Sequence, residues 1–314
     1  MSELVTPAGS GSVPPHLSTG SIGAGLLILI SLPCFIALPW SVHRYDLQRL
    51  YGQVPHSSPQ LSEPMGTDVF GRSLMWRCLL GGAISLGIGA CAALIAVVIG
   101  VSWGALAGYF GGRIDSVLMR IVDVLYGLPY ILLVVLVDMA LQPTFSSLAS
   151  MLPGVRADVA SGMADIATLL VAIGGVSWLT MARVIRGQVL SLRTQPFIEA
   201  ARAAGTGPLR VLWVHLLPNL IGPIVVYTTL TVPQAILQES FLSFLGIGVQ
   251  DPLPSWGNLA SEGLSQLYVL VLPGAKSYWW LLFFPCLLLG LTLLSLNFLG
   301  DALRNRLDPK RVKV

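Results

Sequence analysis

The sequence predicts an all-α integral membrane protein with six transmembrane helices, and three observations carry that expectation. First, the 314 residues are 54% hydrophobic and 11% charged, with a mean hydropathy of +0.76. A soluble domain carries roughly 25% charged residues, so too few charges remain here to cover a water-facing surface. Second, six apolar runs each approach the roughly 20 residues that a helix needs to cross a bilayer. Third, the basic residues gather between and after those runs, the pattern that orients spans. The net charge of +3 gives no reason to expect a nucleic-acid partner. Cys34, Cys78, Cys91 and Cys286 lie in or beside apolar runs with no metal-type pairing, and read as small buried hydrophobes.

Residues 1–20, rich in Gly, Pro and Ser and free of Lys and Arg, read as a disordered tail without the basic start of a secretory signal. The first span runs from Ile22 to Trp40. Residues 41–77 are polar and contain Gly66-Thr67-Asp68-Val69-Phe70-Gly71-Arg72, with a turn at Gly71. The second span runs from about Ala83 to Ala107. Along it Gly100, Gly104 and Gly108 share one helical face, a spacing that lets helix backbones approach closely in lipid. A short basic turn is expected at 109–120. The third span is expected at Ile121–Leu141, kinked where Pro129 removes a backbone donor. After a polar loop at 142–164, the fourth span is expected at Ile166–Ala182, with the helix continuing toward Arg193. The fifth is expected at Leu220–Leu242, the sixth at Trp279–Leu299, and a basic tail follows.

Between the fourth and fifth spans lies the one polar, helix-prone stretch, Glu199-Ala-Ala-Arg-Ala-Ala-Gly205, running on to His215-Leu-Leu-Pro218-Asn219. Residues 197–204 are mostly good helix formers. Gly205, Thr206 and Gly207 should end that helix, and Pro208 suits the first position of a second one. Glu199, Ala200, Ala201, Gly205, Leu217 and Pro218 fall on a pattern that resembles the EAA loop of importer-type ABC transporter permeases. His215 stands where that loop usually has Ile. Gly66-Thr67-Asp68-x-x-Gly71-Arg72 resembles a segment of the C-type subunits of dipeptide, oligopeptide and nickel permeases, with Ser73 in place of the usual acidic residue. The stretch from Glu239 through Trp256-Gly257-Asn258 resembles the same subunits.

The resemblance implies the type I importer permease fold and a transmembrane subunit for peptides or related small solutes. It implies that residues 194–218 form a cytoplasmic coupling loop that docks on a separate ATPase. The implied partners are a second homologous permease subunit, forming a heterodimer, two ATPase subunits and an extracytoplasmic binding protein. ATP and magnesium would sit on the ATPases, and this chain would bind no cofactor. The expected organisation is a disordered cytoplasmic tail at 1–20, a first helix with a long outer loop at 21–78, a five-helix core at 79–302 and a basic cytoplasmic tail at 303–314. Placing both termini inside a prokaryotic plasma membrane puts most of the eighteen Lys and Arg in the cytoplasm.

No enzyme signature survives. Gly274-Ala-Lys276-Ser277 lacks the glycines of a phosphate loop, and Gly87-Ile-Gly89 has no preceding strand. The four histidines are scattered, with no metal-type pair. Carboxylates at bilayer depth are expensive and mark pathways or partners. Glu239, Asp138 and Gln234 are therefore the candidate pathway or gate residues. Asp123 is expected to pair with Arg120 on its own helix. Gln234 does not share a helical face with Glu239. The alternative reading is an ion-coupled secondary transporter with Glu239 and Asp138 as its coupling sites.

Overall fold

A computed structural model describes residues 19–47, 55–151, 157–268 and 277–307. The chain forms α1 (Thr19–Ile36), α2 (Leu38–Arg44), α3 (Leu74–Phe110), α4 (Gly112–Tyr126), α5 (Tyr130–Ser150), α6 (Ala157–Leu192) and α7 (Pro196–Ala203). It continues through α8 (Pro208–Arg210), a π-helical turn (Val211–Leu216), α9 (Leu217–Phe244), α10 (Trp256–Tyr268) and α11 (Trp280–Leu307). Among the described residues six helical stretches are long and apolar enough to cross a membrane: α1, α3, α5, most of α6, the continuous run from α8 through α9, and α11. Of the expected disordered tail at 1–20, residues 1–18 lie outside the described residues, and Thr19 and Gly20 instead open α1. Lys276 of the rejected phosphate-loop scrap and the basic residues Lys310, Arg311 and Lys313 also lie outside the described residues.

The long helices are apolar almost all round, as lipid-embedded helices must be. Leu29, Leu94, Val98 and Leu136 point outward. Lipid removes the hydrophobic drive between helices, so close packing and polar contacts hold them. The main seam joins α3 to α6, and the expected glycine face builds it. A Cβ on Gly100 would stand 2.6 Å from Met181 Cβ, and one on Gly108 would stand 2.9 Å from the Arg186 carbonyl. Gly104 lies directly against the Ala182 carbonyl. Trp103 closes the same region, donating from its indole to the Leu118 carbonyl at 3.1 Å. α1 packs on α11, and α10 wedges between α3, α9 and α11.

The third span departs from its expected position. Pro129 does not kink a helix but stands outside one, as the N-cap of α5 with extended backbone (ψ 122°). Its ring disfavours helical geometry in the preceding residue, so the chain breaks at Gly127–Pro129. The apolar run at 121–141 thus splits between two helices. Its first part joins α4, an amphipathic helix that occupies most of the segment expected to be a basic turn. Within α4, Asp115 and Asp123 alternate with Ile114, Val117, Ile121 and Val124.

Candidate functional site

The segment between α6 and α9 is built from α7, a tight turn, α8 and the π-helical turn. Pro196 begins α7 at its first turn, where the missing N–H costs nothing. Ile198 is its anchor: fully buried, it packs among Tyr109, Ile185, Val189, Leu212 and Leu216. Glu199 and Ala200 face outward on the opposite side, with Ala201 half-buried. The helix ends as its sequence demands. Gly205 adopts the left-handed backbone (φ +79°), and the Thr206 N–H reaches back to the Ala201 carbonyl at 3.1 Å. Pro208 then opens α8.

Sequence patterns gave no sign of the π turn that follows. The Leu217 N–H donates to the Leu212 carbonyl, five residues back. Pro218, next in line, has no N–H with which to continue that register, and α9 restarts there in α geometry. Leu217 is half-buried and Pro218 exposed, so of the six residues of the expected coupling motif Glu199, Ala200, Gly205 and Pro218 are exposed and Ala201 and Leu217 half-buried.

Arginines tie α6 and α7 to α3 and α4. Arg193 donates to the Gly108 carbonyl at 3.0 Å, and Arg202 stacks over Tyr109 at 5.2 Å. Arg186 makes two bonds to Asp115 at 2.5 and 2.6 Å. Arg183 bonds Asp123 at 2.8 Å and lies over the Tyr126 ring at 4.0 Å. Asp123 therefore pairs with α6, not with Arg120. The α4 backbone turns Asp123 toward a partner 60 residues away that helical spacing could not reveal.

The three polar residues expected on a pathway occupy three different places. Glu239 has no exposed surface. Its carboxylate accepts from the Ser243 hydroxyl at 2.8 Å and the Ser240 hydroxyl at 3.2 Å, and the Ser85 and Ser255 hydroxyls reach it too. Ser85 also accepts the Trp256 N–H at 3.3 Å, so one carboxylate ties α3, α9 and the start of α10. Asp138, buried on α5, lines a cavity of about 30 Å³ with Asp165, Gln142, Thr168 and the loop carrying Gly248 and Gln250. That volume suits one water molecule.

Gln234 is exposed and borders a cavity of about 400 Å³ between the α4–α5 break, α6 and α9. Gln238, one turn further along α9, shares it. There the Tyr130 hydroxyl donates to Gln238 Oε1 at 2.6 Å and contacts Ser177 Oγ at 3.2 Å. The legible signal was the i, i+4 spacing of the two glutamines.

At the other end of α3 the Gly66–Arg72 segment forms a charge knot. Gly66 and Gly71 take positive φ (+78° and +77°). Asp68 receives the Phe70 and Arg72 N–H groups at 2.9 and 2.8 Å, the Arg72 side chain at 2.6 Å and Arg77 at 2.9 Å. Arg77, fully buried, also grips Glu262 of α10 through two bonds at 2.6 and 2.8 Å.

Known proteins are similar to this chain in sequence and in fold. It is 41% identical over 292 residues to the dipeptide transport system permease protein DppC of Bacillus subtilis, covering 91% of this chain and 81% of that one. It is 40% identical over 289 residues to the oligopeptide transport system permease protein OppC of Escherichia coli, covering 91% and 86%. In fold it is similar to a chain of the inward-facing MetNI methionine ABC transporter, with a TM-score of 0.53, 19% identity, and coverage of 74% of this chain and 97% of that one. Residues 100–313 match the family described as the binding-protein-dependent transport system inner membrane component. That match takes in residues 194–218, the glycine-bearing end of α3 and every later span, and the chain belongs to that family of inner membrane transport components.

Proposed function

We propose that this chain is one transmembrane subunit of an ATP-driven importer for dipeptides, oligopeptides or related small solutes. The observation that carries the reading is the similarity, over about nine-tenths of the chain, to permeases named for dipeptide and oligopeptide transport. A second, homologous permease subunit completes the pore as a heterodimer, two ATPase subunits sit on the α7 side, and a solute-binding protein delivers from the opposite side. ATP and magnesium belong to the ATPases. Both termini face the cytoplasm, which places the arginines of α6, α7 and the end of α11 on the inner side.

The chemistry of the segment between α6 and α9 fits a docking role. Glu199, Ala200, Ala201 and Gly205 offer a small-residue surface flanked by charge, with Pro218 holding the exit angle into α9. Ile198, Arg193 and Arg202 weld that surface to α6 and α3. When nucleotide-loaded ATPases close, α7 transmits the displacement as a lever, since the α3–α6 seam is too close-packed to absorb it. The cycle is a population shift between inward-open and outward-open bundles, set by the different ATP affinities of the two states. Of the three polar candidates, Gln234 belongs to the solute path. Glu239 holds the α3–α9–α10 junction, and Asp138 a water-sized site beside it.

The test is coupling. Glu199→Lys and Gly205→Asp are expected to leave the chain inserted and assembled. Stimulation of ATPase activity by the binding protein should fall by roughly tenfold or more, the effect of losing about 1.4 kcal/mol of docking energy, and uptake should fall with it. Normal uptake in both variants would sink the docking role.

A further inference from the structure

The cavity beside Gln234 is built in an unusual way for the middle of a membrane. Gln234 lies about 15 Å of helix from the end of α9, half the roughly 30 Å thickness of the hydrocarbon. Its amide makes no hydrogen bond among the described residues, and neither does the exposed Thr180 hydroxyl of α6. Gln238 has its oxygen engaged by Tyr130, which fixes its NH2 group as an uncommitted donor. Unpaired polar groups facing lipid tails cost several kcal/mol each, so this face is not a lipid face. Ser177 and Thr231 extend the polar wall, and no acidic or basic side chain lines the cavity among the described residues. Charge appears only at its α4 mouth, where the Tyr126 ring carries the Arg183–Asp123 pair.

We propose that this wall is the contact surface for the solute's peptide backbone, offering uncharged amide and hydroxyl groups to C=O and N–H groups and taking no part in reading side-chain charge. The inference rests on the importer reading above and specifies the solute chemistry of that path. An amide presents one acceptor and two donors, which is the complement of a peptide unit. A fixed charge in the same place would hold one sign of solute and repel the other. A glutamine–threonine wall therefore suits a carrier of many sequences, with about 400 Å³ to which this chain contributes one side.

The experiment uses the complete transporter, reconstituted with its partner subunits, and has two readouts. In a background with exposed Cys91 and Cys286 replaced by alanine, cysteine is placed at Gln234, at Thr180 and, as a control away from the cavity, at the exposed Leu29 in the apolar span α1. A membrane-impermeant charged thiol reagent should label 234 and 180 and leave 29 unlabelled. Uptake of Ala-Ala-Ala, Ala-Lys-Ala and Ala-Glu-Ala is then compared in Gln234→Lys, Gln234→Glu and Gln234→Asn. Lys should favour the acidic over the basic peptide by roughly tenfold, the scale of one unit charge acting at about 6 Å through a partly aqueous medium. Glu should reverse the preference, and Asn should leave the ratio as it is.

Absence of labelling at both positions would mean that the face is covered by the second subunit, and overturns the proposal. So would charge variants that leave the peptide ratios unmoved. If the unmodified complex takes up none of the three peptides, the peptide reading itself fails and the backbone contact falls with it, while labelling still decides whether the face is wet.

Discussion

Single residues in this protein divide into those that present chemistry and those that hold the presenting surface. Ile198 and Glu199 are neighbours with opposite duties, one fully buried and the other outward. Ile198→Ala removes a buried side chain from the joint among α3, α6 and α7 and should cost about 2–4 kcal/mol. Its signature is a lowered melting temperature of the purified subunit, which Glu199→Lys should not show. Glu239 can be tested in the same way. As a junction within a serine cage, it tolerates Glu239→Gln, which keeps an acceptor for Ser243 and Ser240, at a cost of about 1 kcal/mol. Glu239→Ala strands several buried hydroxyls and should cost about 3 kcal/mol or more. If Gln abolished uptake with the melting temperature unchanged, Glu239 would be a gate and the junction role would fail. Gly205 was readable at this scale because its duty is local: a helix ending at Ala203 before a left-handed residue needs a glycine.

At the scale of elements, what the sequence discloses depends on how far apart the interacting residues are. The α7 turn and the glycine face of α3 were legible because turn chemistry and helical spacing are written within ten residues or so. The third span was misplaced because hydropathy alone does not register that Pro129 begins a helix instead of bending one. Charge pairs were the least legible. Arg77 meets Glu262 across 185 residues, and no periodicity points from one to the other. That pair nonetheless governs how α10 seats against α3, since Arg77 has no exposed surface and Asp68 almost none. Removing one partner of a buried ionic cluster costs about 3–5 kcal/mol, because the remaining charges stay buried without compensation. Arg77→Met should therefore destabilise strongly, whereas Glu262→Gln, which keeps one acceptor at a third-exposed position, should cost far less. Thermal unfolding of the two variants in one detergent checks the order, and equal losses would show that the knot does not depend on the buried arginine. The seam offers a parallel case. Gly104→Leu has no space against the Ala182 carbonyl, so α3 and α6 must separate and the variant should fail to assemble.

For the whole molecule, the spans are covered very unequally by their own chain. Within its apolar stretch α6 is 61% buried, while α5 is 11% buried and packs chiefly on α6. α5 also begins at the break beside the polar cavity, whose uncommitted groups on α6 and α9 need water or protein. A helix so placed must find its cover outside the chain, and on the importer reading proposed above that cover is the second permease subunit. Binding to the folded state stabilises whatever it covers. Amide exchange measured on the isolated subunit and on the assembled transporter should therefore slow most in α5, and little in α3, which the seam already protects, or in the cavity-lining face of α9, which stays open to solute. The same sample, drawn from native membranes in mild detergent, should bring down two ATPase chains and a homologous six-span subunit. If α5 exchanges equally in both states, that helix faces lipid and the subunit interface lies elsewhere. If no ATPase accompanies the chain in any mild detergent, the lever built by Ile198, Arg193 and Arg202 has nothing to move it, and the importer assignment for this subunit fails with it.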